Sequence, residues 1–137
     1  MSLRRRMSQR ILVADEDPQI RRLVTSMVIN EGYEAVIAAD GRETYRILHK
    51  DANFSAAIFD MMMPHLKGLD IIRYMRTEKR LMRIPVMLIT SERSLNVMAD
   101  SFAAGATVFL QKPFRIDLMQ TTLQMLSSTA RSMSVPV

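Results

Sequence analysis

Four apolar runs in this chain end on side chains that can do chemistry. Ala56-Ala57-Ile58-Phe59 finishes on Asp60, and Ile11-Leu12-Val13-Ala14 runs into Asp15-Glu16-Asp17. Val86-Met87-Leu88-Ile89 stops at Thr90-Ser91, and Thr107-Val108-Phe109-Leu110 leads to Gln111-Lys112-Pro113. A carboxylate just past a buried strand sits at the rim of a sheet, where it can be a nucleophile or a cation ligand. Brought together, these ends would place two or three carboxylates, a hydroxyl and an ammonium at one edge. Clustered carboxylates without cysteine or a nearby histidine favour a hard, oxygen-seeking cation, Mg2+ first and Mn2+ as a second option. Such a cation offsets carboxylate repulsion and leaves Asp60 free to act on a phosphoryl group. Lys112 and Thr90 would then neutralise or hydrogen-bond the phosphoryl oxygens.

The elements that must position these residues alternate along the chain. Ile11–Ala14 reads as a buried strand. Asp17 and Pro18 open a helix as N-cap and first-turn residue; Ile20, Leu23, Val24, Met27 and Val28 repeat at helical spacing, and Gly32 closes it. Glu34–Ala39 is a second strand, and Asp40-Gly41 starts a helix whose buried face is expected at Tyr45 and Leu48. Ser55–Phe59 is a third strand, followed beyond Gly68 by a helix with Leu69, Ile72 and Met75 on one face. Pro85–Ile89 is a fourth, followed by a helix from Ser94 to about Ala104 that Gly105 ends. Thr107–Leu110 is a fifth, and the last helix is expected from Arg115 to about Thr129, with Ile116, Met119, Leu123 and Leu126 inward. Five strand–helix repeats predict an α/β fold, a doubly wound five-stranded parallel sheet with helices on both faces. In such sheets ligands bind beyond the carboxyl ends of the strands, where strand order reverses.

The 137 residues suit one domain, and 48% apolar composition suits a packed core. The net charge of +5 invites a nucleic-acid reading, but Arg4, Arg5, Arg6 and Arg10 supply +4 of it without an acid among the first ten residues. The basicity belongs to the head, which reads as a solvated tail, and direct nucleic-acid binding is not expected. The expected organisation is a basic segment over 1–9, a domain over 10–129 and a polar tail over 130–137. No stretch approaches the ~18 apolar residues of a membrane span. No apolar segment follows the basic head to make a signal peptide, so a cytoplasmic location is expected. The absence of cysteine excludes disulfides, thiolate metal sites and cysteine nucleophiles.

From about Arg10 to about Leu126 the chain resembles a response-regulator receiver domain. The resemblance rests on Ile11-Leu12-Val13-Ala14-Asp15-Glu16-Asp17-Pro18, on Asp60-Met61-Met62-Met63-Pro64 with Gly68 beyond, on Leu88-Ile89-Thr90-Ser91, and on Gly105 through Phe114. Each motif is weak alone; four in order, each at a strand end, are specific. The resemblance implies a flavodoxin-like sheet of order 2-1-3-4-5. It implies that Asp60 is the phospho-acceptor and that Asp15, Glu16, Asp60 and the backbone carbonyl of Met62 hold Mg2+. Thr90 matches the switch hydroxyl, Lys112 the lysine that pairs with Asp60 or its phosphate, and Phe109 the aromatic that turns inward on activation. Lys112-Pro113 resembles the family's cis peptide. The implied partners are a histidine kinase or histidine phosphotransfer protein and a downstream protein, with homodimerisation through the face of the fourth helix, fifth strand and fifth helix. Glu16 stands where many members carry Asp, and Met62 and Glu92 flank the site where members vary.

Other readings compete. Asp17 is read as a helix cap only. Asp15 with Asp17 two residues later also fits a haloacid-dehalogenase-type phosphatase, although Gln19 stands where a small β-branched residue is expected and no cap domain fits this length. A phosphate-independent interaction module is the third reading. His49 and His65 are expected to face solvent, and the basic stretch Arg76, Lys79, Arg80, Arg83 is read as a solvated connection.

Overall fold

The computed structural model describes residues 9–92 and 94–134; most of the basic head and the last three residues lie outside the described residues. The strands are β1 (Arg10–Ala14), β2 (Glu34–Ala38), β3 (Ala56–Asp60), β4 (Val86–Thr90) and β5 (Val108–Gln111). The helices are α1 (Pro18–Asn30), α2 (Gly41–Lys50), α3 (Gly68–Thr77), α4 (Leu95–Ala104) and α5 (Ile116–Ser134). All strand pairs are parallel and the order is β2-β1-β3-β4-β5, as predicted.

Side chains alternate across the sheet and so build two cores. Leu12, Phe59 and Leu88 join Leu48 of α2 and Ile71, Ile72 and Met75 of α3 on one face. Ile11, Val13, Ile58, Met87 and Ile89 meet Val24 and Val28 of α1 and Met119, Leu123 and Leu126 of α5 on the other. Each fully buried Leu or Ile contributes about 1.5–3 kcal/mol relative to exposure. The helix starts follow local chemistry: Asp17, Asp40 and Ser94 accept hydrogen bonds from Gln19 N, Glu43 N and Asn96 N. Gly105 ends α4 at φ 115°, in the left-handed region where a Cβ is strained.

Several expectations need correction. Tyr45 is exposed: it packs against Tyr74 of α3 at a centroid distance of 4.7 Å, and Thr44 takes the buried place beside Leu48. Ile116 is 62% exposed, because it lies in the first turn of α5; Phe114 packs against that core instead. Helix α5 runs to Ser134, past the expected end near Thr129, since no glycine or proline interrupts it before Pro136. The basic stretch is not simply solvated. Arg76 donates to the carbonyls of Met82, Ile84 and Gly105, tying α3 to the entries of β4 and β5. Arg80 donates to the carbonyls of Leu48 and His49 and to the Tyr74 hydroxyl.

Candidate functional site

Register brings the four reactive ends together. Ala14 pairs with Phe59, so Asp15 follows β1 beside the place where Asp60 ends β3. Asp60 pairs with Ile89, one residue before Thr90, and Thr90 pairs with Gln111, one residue before Lys112. β1 and β3 flank the point where strand order reverses, the expected ligand site of an open α/β sheet. Asp60 and Thr90 are the last residues of their strands and not the first of loops. The sheet ladder therefore holds both.

Asp15, Asp60 and Thr90 are all buried. The Lys112 ammonium lies 3.4 Å from Asp15 Oδ2 and 3.7 Å from Asp60 Oδ1, so one cation faces two carboxylates. Asp15 Oδ1 accepts from the Asp17 N–H at 2.9 Å, but its buried Oδ2 has no hydrogen-bond partner. The 3.4 Å approach of Lys112 is an ion pair without hydrogen-bond geometry. Burial pushes the Asp15 carboxyl up, and the nearby Asp60 charge adds to this. The Asp17 N–H and Lys112 pull the other way, and the balance stands at about 6.

Asp60 Oδ1 accepts from Met62 N at 3.3 Å, which folds the chain after β3 back over the acceptor. Gly68 makes this bend close: its N–H donates to the Met61 carbonyl, and a Cβ there would stand 2.7 Å from the Asp60 carbonyl oxygen. Thr90 Oγ1 accepts from Glu92 N at 3.1 Å. Lys112 N donates to the Thr90 carbonyl, and the Lys112–Pro113 peptide is cis.

The remaining predicted residues sit at the rim. Glu16 is exposed between Asp15 and the cap Asp17, and among the described residues no three acidic or imidazole side chains converge as a cation cage. Met62 is half in solvent. Phe109 is half-buried on β5, its ring 6.3 Å from that of Phe102 on α4. His49 and His65 are exposed; His65 contacts Arg42 through Nδ1 at 3.2 Å, with φ 72°. Two contacts escaped the sequence reading. Arg21 donates to the Asp15 carbonyl at 2.8 Å, and Gln111 Nε2 to the Glu92 carbonyl at 2.8 Å, steadying the loops after β1 and β4. An arginine on a helix and a glutamine at a strand end carry no signal of such roles.

The donors fit a hard divalent cation. Asp15 and Asp60 offer carboxylate oxygens, one of them buried without a hydrogen-bond partner, which is the donor type such a cation takes.

This parallel sheet, with a carboxylate pair, a hydroxyl and a lysine at its switch point, is of the flavodoxin-like class. The chain belongs to the response regulator receiver domain family, which residues 11–124 match. The chemotaxis protein CheY1 of Helicobacter pylori is 29% identical over 121 residues, covering 88% of this chain and 98% of that protein. The solved chemotaxis response regulator CheY4 of Vibrio cholerae has a TM-score of 0.79 at 31% identity, covering 86% of this chain and 98% of that one. Response regulator TrrA of Thermotoga maritima, solved in complex with Mg2+ and BeF, has a TM-score of 0.74 at 28% identity, covering 87% and 99%. Membership in this family separates the chain from the phosphatase reading of Asp15 and Asp17. No described helix is long and apolar enough to cross a membrane.

Proposed function

We propose that the protein is a phosphorylation switch in which Asp60 accepts a phosphoryl group from a phosphohistidine on a histidine kinase or phosphotransfer protein. An Asp60 carboxylate oxygen attacks phosphorus, the P–N bond breaks, and the imidazole leaves with its electron pair. Water later attacks the acyl phosphate and releases inorganic phosphate. The chain thus turns its own modification over without processing a metabolite.

The observation that carries this reading is the buried carboxylate pair facing one lysine, with Asp15 Oδ2 left without a hydrogen bond. Asp15, Asp60 and the Met62 carbonyl would hold Mg2+, with Glu16 contributing from the rim; the magnesium complex of the Thermotoga relative supports that choice. Manganese has no counterpart among the relatives described above. When bound, the cation would supply positive charge that offsets the carboxylates and the developing charge of the phosphoryl group. Lys112 neutralises a further oxygen, and the Thr90 hydroxyl donates to another once it turns from the Glu92 N–H. That turn vacates space beside β5 and draws Phe109 inward, biasing an existing equilibrium. Leu95, Met98 and Phe102, exposed along α4, form with Phe109 the apolar part of the α4–β5–α5 readout face.

Intact mass after incubation with Mg2+ and a small phosphodonor tests this for wild type and Asp60→Asn. One magnesium-dependent adduct, absent in the variant, is the expected result. An adduct that persists in Asp60→Asn would place the acceptor elsewhere. No adduct on folded wild type would favour a phosphate-independent interaction module.

A further inference from the structure

The chain contains thirteen methionines and no cysteine, so a peroxide meeting this protein finds thioethers and no thiol. Burial decides which thioethers react. In the run Met61-Met62-Met63 the outer two are 6% and 4% exposed, whereas Met62 is 47% exposed. Met62 is also tied to the acceptor, since its N–H donates to Asp60 Oδ1. Met82, Met98 and Met125 are comparably open but lie on other elements, the turn after α3, α4 and α5 respectively.

We propose that Met62 is a site of reversible oxidation that shortens the life of the Asp60 phosphate. The proposal rests on the phospho-acceptor reading above. In the oxidation the Met62 sulfur attacks a peroxide oxygen; an S–O bond forms, the O–O bond breaks, and water leaves. Sulfur loses two electrons and the peroxide gains them. Reversal takes two electrons from an external dithiol through a methionine sulfoxide reductase, giving a disulfide, water and the thioether.

The consequence follows from polarity. An apolar side chain on the residue whose N–H bonds the acceptor offers water no firm hold. A sulfoxide oxygen is a strong hydrogen-bond acceptor that can seat and orient a water next to the acyl phosphate, as positioned polar groups do for an attacking water. One added hydrogen bond of ordinary net strength, made in the transition state, corresponds to about fivefold in rate.

The experiment treats the full chain with graded hydrogen peroxide, maps oxidised peptides by mass, and measures the acyl-phosphate half-life in Mg2+. Wild type, Met62→Leu and Met62→Gln are compared. Met62 should take up oxygen before Met61 and Met63, and the half-life of oxidised wild type should fall about fivefold. Met62→Leu, its own starting half-life measured first, should show no further change when its other open methionines are oxidised. Untreated Met62→Gln should resemble oxidised wild type, and reductase with dithiothreitol should restore the latter. An unchanged half-life after Met62 oxidation overturns the proposal, as does a Met62 that resists peroxide while Met82, Met98 and Met125 react. If unoxidised wild type takes no phosphate, the phospho-acceptor reading fails first, and the oxidation proposal falls with it.

Discussion

Replacing Asp15 with Asn should make the metal-free protein more stable at neutral pH, by the cost of keeping that carboxylate charged. In the fold its pKa is raised from 3.8 to about 6, chiefly because burial removes it from water. At about 1.4 kcal/mol per pKa unit, the difference amounts to about 3 kcal/mol. The sign comes from proton counting. Between about pH 4 and pH 6 the folded chain holds a proton on Asp15 that the unfolded chain has released, so raising the pH through this window favours unfolding. Asp15 therefore costs little below about pH 4 and its full amount above about pH 7. Urea unfolding in chelator, across that range, should find Asp15→Asn and wild type close at the acid end. The variant should be ahead by about 2–3 kcal/mol at the neutral end. Lys112 keeps Asp60 as its partner in the variant, which limits collateral loss. Magnesium at about 100 times its Kd should stabilise wild type by about 2.7 kcal/mol and the variant far less. A difference that does not change with pH would refute the placement of the uncompensated charge at Asp15. So would a wild type that gains on the variant as pH rises.

Arg76→Met keeps an apolar stem but leaves the carbonyls of Met82, Ile84 and Gly105 without their donor. It should cost about 2–4 kcal/mol in chemical denaturation, with phosphorylation of the folded fraction retained. Gly68→Ala sets a methyl 2.7 Å from the Asp60 carbonyl oxygen and 2.9 Å from Leu88 Cδ1. It should cost about 2 kcal/mol and slow adduct formation in the mass assay, because the end of β3 must shift. Asp40→Ala removes the cap that accepts from Glu43 N. The urea midpoint should report a loss of about 1 kcal/mol, with the adduct yield of folded protein unchanged.

The sheet was legible because its signals are periodic and redundant. Ile11–Ala14, Ala56–Phe59 and Val86–Ile89 are continuous apolar runs, as strands covered on both faces require, and Asp17-Pro18, Asp40-Gly41 and Gly105 punctuate the helices between them. Asp60 and Thr90 nonetheless fell one residue outside their expected strands. Hydrophobicity marks where burial ends, whereas the ladder continues while backbone partners remain, here to Ile89 and Gln111. The same limit explains Tyr45 and Thr44. A period of 3.6 names a face, but a tyrosine able to pack at a tilt against Tyr74 gains contact without pointing at the sheet. Arg76 and Arg80 were illegible for another reason. Their partners are backbone carbonyls 6–32 residues away, and a backbone carbonyl has no sequence identity.

Local rules alone would not leave a carboxylate buried with an oxygen that nothing hydrogen-bonds, next to a second carboxylate and one shared lysine. Strand-end aspartates that served only as caps would be half-exposed and satisfied by N–H groups, as Asp17 and Asp40 are. Asp15 differs from them by burial, and the destabilisation this implies in the metal-free chain has no structural return within the fold. On the reading proposed above, the return comes from a bound cation. The stability difference between wild type and Asp15→Asn should therefore narrow or reverse on adding magnesium. Lys112 alone, 3.4 Å and 3.7 Å from two anions, leaves one negative charge over. A divalent cation held by Asp15 and Asp60 would reverse that balance and offset the charge of an incoming phosphoryl group.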